Sequence, residues 1–266
     1  MVLIKINSQE VKVNEGTTIL EAASSIGVTI PTLCHHQAII PYGACRLCTV
    51  EVESDGKKRL LPSCSSRVEP GMEIITDSDA LRAGRKMILE LLLAECPGVK
   101  IIRKLAEEAG IKQSRFSSKQ PGEQVPADLT RGVPREGECI LCGLCVRVCD
   151  EIVKASAIGF EGRGVGRKVV TPFAALPENC KACGACSFVC PTGAIKMEAE
   201  LIEERLKKLD TSERPCRYML MGIVPYKICP NEYRCHICEV DQEYEDIFGM
   251  HPIIGFRLEE AEQRND

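Results

Sequence analysis

Eight cysteines between residues 139 and 190 constrain this chain more than any other feature. They fall in two runs of the form C-x2-C-x2-C-x3-C: Cys139, Cys142, Cys145 and Cys149, then Cys180, Cys183, Cys186 and Cys190. Three thiolates spaced so closely can wrap one iron–sulfur cube only where the backbone turns tightly around it. Gly143 and Gly184, each following the second cysteine of its run, allow that turn because no Cβ opposes it. The spacing is that of a ligand set for two 4Fe–4S clusters. Zinc sites use isolated C-x2-C pairs rather than a triple followed by a fourth cysteine, so zinc knuckles or disulfides account for it poorly. Pro191 follows the last cysteine as the pattern asks, whereas Asp150 follows Cys149; the ligands are intact and only the proline-directed turn is weakened.

This run is that of the bacterial ferredoxins, in which the fourth cysteine of each run serves the other cluster. On that pattern Cys139, Cys142 and Cys145 go with Cys190, and Cys180, Cys183 and Cys186 go with Cys149. The 30 residues between Cys149 and Cys180 leave room for a strand hairpin, with strands over 157–160 and 168–171. Gly162, Gly164 and Gly166 between them mimic a dinucleotide fingerprint, but no βαβ unit follows and no acidic residue stands about twenty positions on. A turn is the reading.

A chain of 266 residues should hold two or more domains. Its 44% hydrophobic and 27% charged residues are ordinary for a globular protein. The net charge of −4 offers no basic footprint, so nucleic acid is not an expected partner. The 17 cysteines are odd in number and metal-like in spacing, which argues against a secreted disulfide framework. The first residues run straight into a strand pattern rather than a signal peptide. No 18-residue apolar run marks a membrane span. The expected compartment is the reducing cytoplasm.

Over residues 1–78, Val2 to Ile6 and Glu10 to Val13 read as a hairpin turning at Asn7-Ser8-Gln9. Thr17 is the expected cap of a helix through Ile26, ended by Gly27. Cys34, Cys45, Cys48 and Cys64 follow with the spacing C-x10-C-x2-C-x15-C. Strands are expected over 49–53 and 72–76. A hairpin, a helix, a cysteine-bearing loop and return strands suggest a β-grasp ferredoxin domain with a 2Fe–2S cluster on those four cysteines. A zinc-bound β domain is the bland alternative, because the thiolate chemistry is shared. His35 and His36 read as surface histidines beside the cluster. The plant-type carrier has four residues between its first two cysteines; here there are ten. That gap, with Ile30-Pro31-Thr32-Leu33-Cys34 before it and Gly43-Ala44-Cys45-Arg46-Leu47-Cys48 after it, resembles the iron–sulfur subunit family. That family is shared by the large peripheral subunit of respiratory complex I, NADH-linked formate dehydrogenases and iron-only hydrogenases. The stretch 145–151 and the insert 163–173 resemble the hydrogenase version, so the resemblance covers about residues 1–200.

Residues 79–137 read as a helical linker and loop. A helix is expected over 80–94 with Leu81, Met87, Ile88, Leu91 and Leu92 on its apolar face, stopped by Pro97; a second follows over 99–109, ended by Gly110. In the resembling family this region leads into a His-plus-three-Cys site for one more 4Fe–4S cluster. Here Cys96 has no nearby His and no further Cys before Cys139. One thiolate cannot hold a cube, so Cys96 is expected to be a structural, partly buried thiol. Residues 113–130 have no period and read as a surface loop.

Beyond residue 198 come a charged helix over 198–209, a linker over 211–215 and a third set, Cys216-x12-Cys229-x5-Cys235-x2-Cys238. Four cysteines in 23 residues indicate a metal site, zinc or a third 4Fe–4S cluster, with zinc slightly preferred; His236 is a candidate replacement ligand. The stretch resembles a small Cys-rich module appended to redox proteins. Residues 258–266 read as an acidic tail.

The expected fold is therefore α+β: a β-grasp 2Fe–2S domain (1–78), a helical linker and loop (79–137), a two-cluster 4Fe–4S ferredoxin-like domain with a hairpin insert (138–197), and a helix with a four-Cys metal module (198–266). No P-loop, dinucleotide fingerprint or nucleophile motif is present. The reading is an electron-relay subunit of an NADH-linked oxidoreductase complex, without a substrate site of its own. The resemblance implies a flavin-containing NAD(H)-binding subunit and a catalytic hydrogenase or formate dehydrogenase subunit as partners. It also allows an electron-bifurcating complex that uses ferredoxin. The alternatives are a free-standing polyferredoxin carrier and a cluster-binding structural or regulatory adaptor.

Overall fold

The computed structural model describes residues 1–116, 137–172, 177–180, 183–195, 216–220, 224–231 and 237–248. The expected loop over 113–130 beyond residue 116, the helix over 198–209, the linker, the acidic tail, Cys235 and His236 lie outside these residues. The chain divides into two compact units. Among described residues the first takes 1–35, 41–116 and 137–143, and the second takes 36–40 and everything from Leu144 onward.

The first unit is built on a five-stranded sheet in the order β2-β1-β5-β3-β4. β1 (Val2–Ile6) and β2 (Gln9–Val13) pair antiparallel, with Ile6 opposite Gln9. Asn7 (φ 48°) and Ser8 (φ 69°) make the left-handed two-residue turn that suits a twisted hairpin. Asn7 tolerates that backbone and also ties the turn to the far end of β5, where its side chain bonds the Thr76 amide (3.0 Å) and hydroxyl (2.8 Å). β5 (Glu73–Ile75) runs parallel to β1 and antiparallel to β3 (Thr49–Ser54). β4 (Lys57–Pro62) completes a hairpin with β3 across Asp55-Gly56, both left-handed. Strict alternation sends Val2, Ile4 and Ile6 to the same buried face as Val50, Val52 and Ile74, where α1 (Ile19–Ser25) covers them with Ile19, Ala22 and Ala23. The cap of α1 is Thr18, one residue beyond the expected Thr17. It forms a capping box in which Thr18 Oγ1 accepts from the Glu21 amide and Glu21 accepts from the Thr18 amide.

α2 (Asp79–Glu95) and α3 (Lys100–Glu108) pack on each other in the same unit. The apolar face of α2 differs from the expectation: Leu81, Leu89 and Ala94 are buried, whereas Met87 and Leu91 are half exposed. The helix is rotated so that Arg85 faces the sheet instead, where its guanidinium finds three backbone carbonyls. Cys96 caps α2 and is fully buried, not partly, among Val99, Ile102 and the partly buried Ile140.

The second unit is made of short pieces: α4 (Leu144–Arg147) running into a π-helical turn (Val148–Ile152), a two-stranded β6–β7 ladder, α5 (Ala185–Phe188), α6 (Arg217–Leu220) and α7 (Glu239–Phe248). β6 (Gly159–Glu161) pairs antiparallel with β7 (Lys168–Val170). Gly162, at φ 70°, closes the turn so tightly that a Cβ there would stand 2.5 Å from the Gly166 carbonyl oxygen. Among described residues, no helix is long and apolar enough to cross a membrane.

Candidate iron–sulfur centres

The β3–β4 register positions half of the first site. Thr49 pairs with Pro62, and the Ser63 amide extends the ladder by donating to the Cys48 carbonyl (3.1 Å). Cys48 and Cys64 therefore emerge at the same end of the hairpin, with their sulfurs 3.4 Å apart. The first-turn amides of α1 hold the Cys64 loop, Leu20 donating to Ser63 O (3.0 Å) and Ile19 to Ser66 O (2.9 Å). Cys34 arrives from the loop after α1, and Cys45 from a loop that turns on left-handed Gly43 (φ 69°) and Arg46 (φ 62°). The Cys45 amide donates to Cys34 Sγ (3.3 Å).

The four sulfurs of Cys34, Cys45, Cys48 and Cys64 are linked by hydrogen bonds among themselves. Cys34, accepting from the thiols of Cys45 and Cys64 and from backbone amides, is held down to about 2. Cys48 is held down to about 6, first by its hydrogen bond with Cys64. The donors Cys45 and Cys64 are pushed up, by those same bonds first and then by burial. Four sulfurs confined in a pocket where Cys34, Cys48 and Cys64 are almost wholly buried form a soft, dry donor set. A small cationic iron–sulfur core fits it.

Arg85 is the residue of this site that the sequence reading missed. Its Nε donates to Leu47 O (3.1 Å), and one terminal nitrogen donates to Thr49 O (2.9 Å) and Thr76 O (2.8 Å). The guanidinium pins the backbone on either side of Cys48 to the end of β5. Its pKa is lowered, first by burial. Arg85 shares its helix with Arg82 and Lys86, so nothing in the sequence sets it apart.

In the second unit, Gly184 (φ 76°) precedes α5 and its Cys186; Gly143, at the end of the first unit, has the same φ. Cys186 is pushed well up, first by burial and then by the nearby sulfurs of Cys183, Cys145, Cys180 and Cys149. Four cysteines of the two runs, Cys145, Cys149, Cys180 and Cys183, therefore lie near Cys186. Backbone amides face the sulfurs: Ala157 donates to Cys149 Sγ (3.3 Å). Cys190 is opposed by burial but lowered on balance by Thr192 and by the amides of Ile195, Thr192 and Ala194. The crowded sulfurs suit a cationic core, which would take them as thiolates. Between Cys145 and Cys149, Arg147 forms a largely buried ion pair with Glu151 (2.7 Å), and Glu151 Oε2 also accepts from the Ile40 amide (3.0 Å). Cys139 and Cys142 lie at the end of the first unit, where the Leu141 amide donates to Cys139 Sγ (3.4 Å).

In the C-terminal segment Cys216 and Cys238 are buried and Cys229 is half-buried. The Cys216 amide donates to Lys227 O (2.9 Å), and buried Tyr218 on α6 hydrogen-bonds Asp241 on α7. These bonds tie the flanks of the three described cysteines together; Cys235 is outside the described residues. All described cysteines are free of disulfides.

Comparison with known proteins agrees with this geometry. Residues 1–79 match the family model of a 2Fe–2S iron–sulfur cluster binding domain, and residues 138–194 that of a 4Fe–4S dicluster domain. The NADPH-Fe(3+) oxidoreductase subunit alpha of Geobacter sulfurreducens is 30% identical over 92% of this chain and 29% of its own length. The NADP-reducing hydrogenase subunit HndD of Solidesulfovibrio fructosivorans is 32% identical over 80% of this chain and 39% of its own. The NADH-ubiquinone oxidoreductase 75 kDa subunit of Reclinomonas americana is 29% identical over 80% of this chain and 32% of its own. The chain thus spans less than half the length of these curated relatives. A chain in the crystal structure of an NAD+-reducing NiFe hydrogenase in the H2-reduced state superposes with a TM-score of 0.58 at 26% identity, covering 81% of this chain and 84% of that one. The chain carries a 2Fe–2S cluster binding domain followed by a 4Fe–4S dicluster domain, and as an iron–sulfur protein it resembles the complex I large peripheral subunit and the iron–sulfur subunits of NAD(P)-linked hydrogenases.

Proposed function

We propose that this chain is an electron-relay subunit of an NAD(P)H-linked oxidoreductase complex. The observation that carries the reading is the pair of domains, each presenting crowded, largely buried cysteine sulfurs faced by backbone amides. Iron–sulfur clusters bound there supply one-electron redox chemistry. Cys34, Cys45, Cys48 and Cys64 hold the 2Fe–2S cluster. Cys149, Cys180, Cys183 and Cys186 hold one 4Fe–4S cluster; Cys149, Cys180 and Cys183 lie near Cys186, as does Cys145 of the other set. Cys139, Cys142, Cys145 and Cys190 hold the other. The domains run 1–78 and 138–197, with a connecting region of 79–137 and the insert ladder β6–β7 inside the dicluster domain. Cys216, Cys229, Cys235 and Cys238 hold a C-terminal zinc ion or further 4Fe–4S cluster, a module supported by the backbone bond from Cys216 to Lys227 and the side-chain bond from Tyr218 to Asp241.

The partners are a flavin-containing NAD(H)-binding subunit and a catalytic hydrogenase or formate dehydrogenase subunit, in a cytoplasmic complex. The names of the relatives support the nicotinamide and hydrogenase sides of this reading. Iron, zinc and sulfide counted on anaerobically purified protein test the ligand sets. About ten iron with one zinc gives one 2Fe–2S and two 4Fe–4S clusters with a zinc module, and about fourteen iron without zinc makes the last set a third cube. Fewer than about ten iron sinks the assignment. Purification of the native complex and identification of its subunits tests the partners; a lone monomer that exchanges electrons with many acceptors returns the polyferredoxin reading.

A further inference from the structure

Ser63 occupies the position next to Cys64 and opposite Cys48. Continued one pair beyond Thr49–Pro62, the β3–β4 register puts 48 across from 63, and the Ser63 amide donates to the Cys48 carbonyl at 3.1 Å. Directly opposed residues of an antiparallel pair send their side chains to the same face, with Cβ atoms about 4.5–5.5 Å apart. Ser63 is completely buried, and its hydroxyl has no hydrogen-bond partner of ordinary geometry. A buried hydroxyl left unpaired is costly, so such an atom calls for an explanation. Its backbone is already fixed at both ends, the amide on Cys48 and the carbonyl on Leu20, so the side chain alone is free to turn.

We infer that Ser63 is a potential-setting residue: its hydroxyl donates to the sulfur of Cys48 once that sulfur is an iron-bound thiolate. This rests on the reading that Cys34, Cys45, Cys48 and Cys64 hold the 2Fe–2S cluster. The direction follows from charge. Reduction adds an electron that is shared with the thiolates, and a donor aimed at one of them stabilises the reduced form more than the oxidised form. The bond raises the potential of this centre and leaves the others unchanged.

The test is a redox titration of the full chain followed by electron paramagnetic resonance, comparing wild type with Ser63→Ala. Poised at the wild-type midpoint, the reduced-to-oxidised ratio of the 2Fe–2S centre should fall about threefold to tenfold in the variant, within the net contribution of one ordinary hydrogen bond. A tenfold change equals about 59 mV for a one-electron couple. The 4Fe–4S signals should titrate as before. Ser63→Thr and Ser63→Val provide a second pair, equal in size and differing in the hydroxyl, in case Ala disturbs assembly. Equal potentials within a pair whose 2Fe–2S signal is intact overturn the inference. The ligand reading is judged separately by Cys48→Ala: a 2Fe–2S signal that survives there overturns the ligand set, whatever Ser63 does.

Discussion

At the scale of single residues, the thiols differ in what their neighbours ask of them. Cys142 belongs to a closely spaced triple, and its replacement by Ala should remove one 4Fe–4S signal while the 2Fe–2S signal of the first domain persists. Loss of both signals together would show that the two domains do not assemble independently. Cys96 is in another situation. It is fully buried among Val99, Ile102 and Ile140 at the end of α2. Replacing its sulfur with the more polar hydroxyl of Ser should cost about 1–3 kcal/mol, read as a lower denaturant midpoint. Iron content should not change; a loss of about four iron per chain would make Cys96 a ligand. Arg85 bonds three carbonyls around Cys48. Arg85→Met keeps much of the packing but leaves those carbonyls without their donor, so stability should fall by roughly 2–3 kcal/mol. The 2Fe–2S signal should broaden with it, because the Leu47–Thr49 backbone is no longer pinned. An unchanged spectrum would mean the clamp is purely structural.

At the scale of elements, the clearest signals were those in which a local rule and the tertiary structure agree. The alternation of Val2, Ile4 and Ile6 marks β1, and Gly27 and Gly110, both left-handed, mark helix ends. The Asp55-Gly56 pair is an equally plain hairpin signal, but β4 after it was not foreseen. Lys57, Lys58 and Arg59 hide it, since an edge strand facing water carries charge instead of an apolar alternation. α2 was legible as a helix, but not the direction it faces. Met87 and Leu91 fit an apolar stripe as well as Leu89 does, and only the carbonyls awaiting Arg85 decide the rotation. The turn of the β6–β7 ladder gives a sharper test. A Cβ at Gly162 would meet the Gly166 carbonyl at 2.5 Å, on a backbone that L residues also avoid. Gly162→Ala should therefore destabilise this ladder by more than about 1 kcal/mol, seen as faster amide exchange at Val169 and Val170, while exchange in β1 and β3 stays slow.

At the scale of the whole molecule, the two units are stabilised differently. The first has a continuous core beneath its sheet, in which Ile4, Ile6, Ile19, Val50 and Val52 are almost wholly buried. The second has helices of four residues around the cysteines, far below the length that holds in water unaided. Removing iron and sulfide under reducing conditions should unfold the second unit locally and leave the sheet of the first intact. Hydrogen exchange resolved along the chain would read this directly, and equal protection of Cys145–Val153 with and without iron would contradict it. What the sequence by itself determined is the chemistry: cysteine spacing is a local property, and a triple with its turn glycine names a cube without reference to anything distant. What only the tertiary structure decided is everything carried by residues far apart in the chain. The approach of Cys34 to Cys64, the Arg85 clamp and the facing of Ser63 and Cys48 all depend on strand register and helix rotation. Those are set by long-range burial and by unpaired backbone groups seeking partners, neither of which leaves a periodic trace in the sequence.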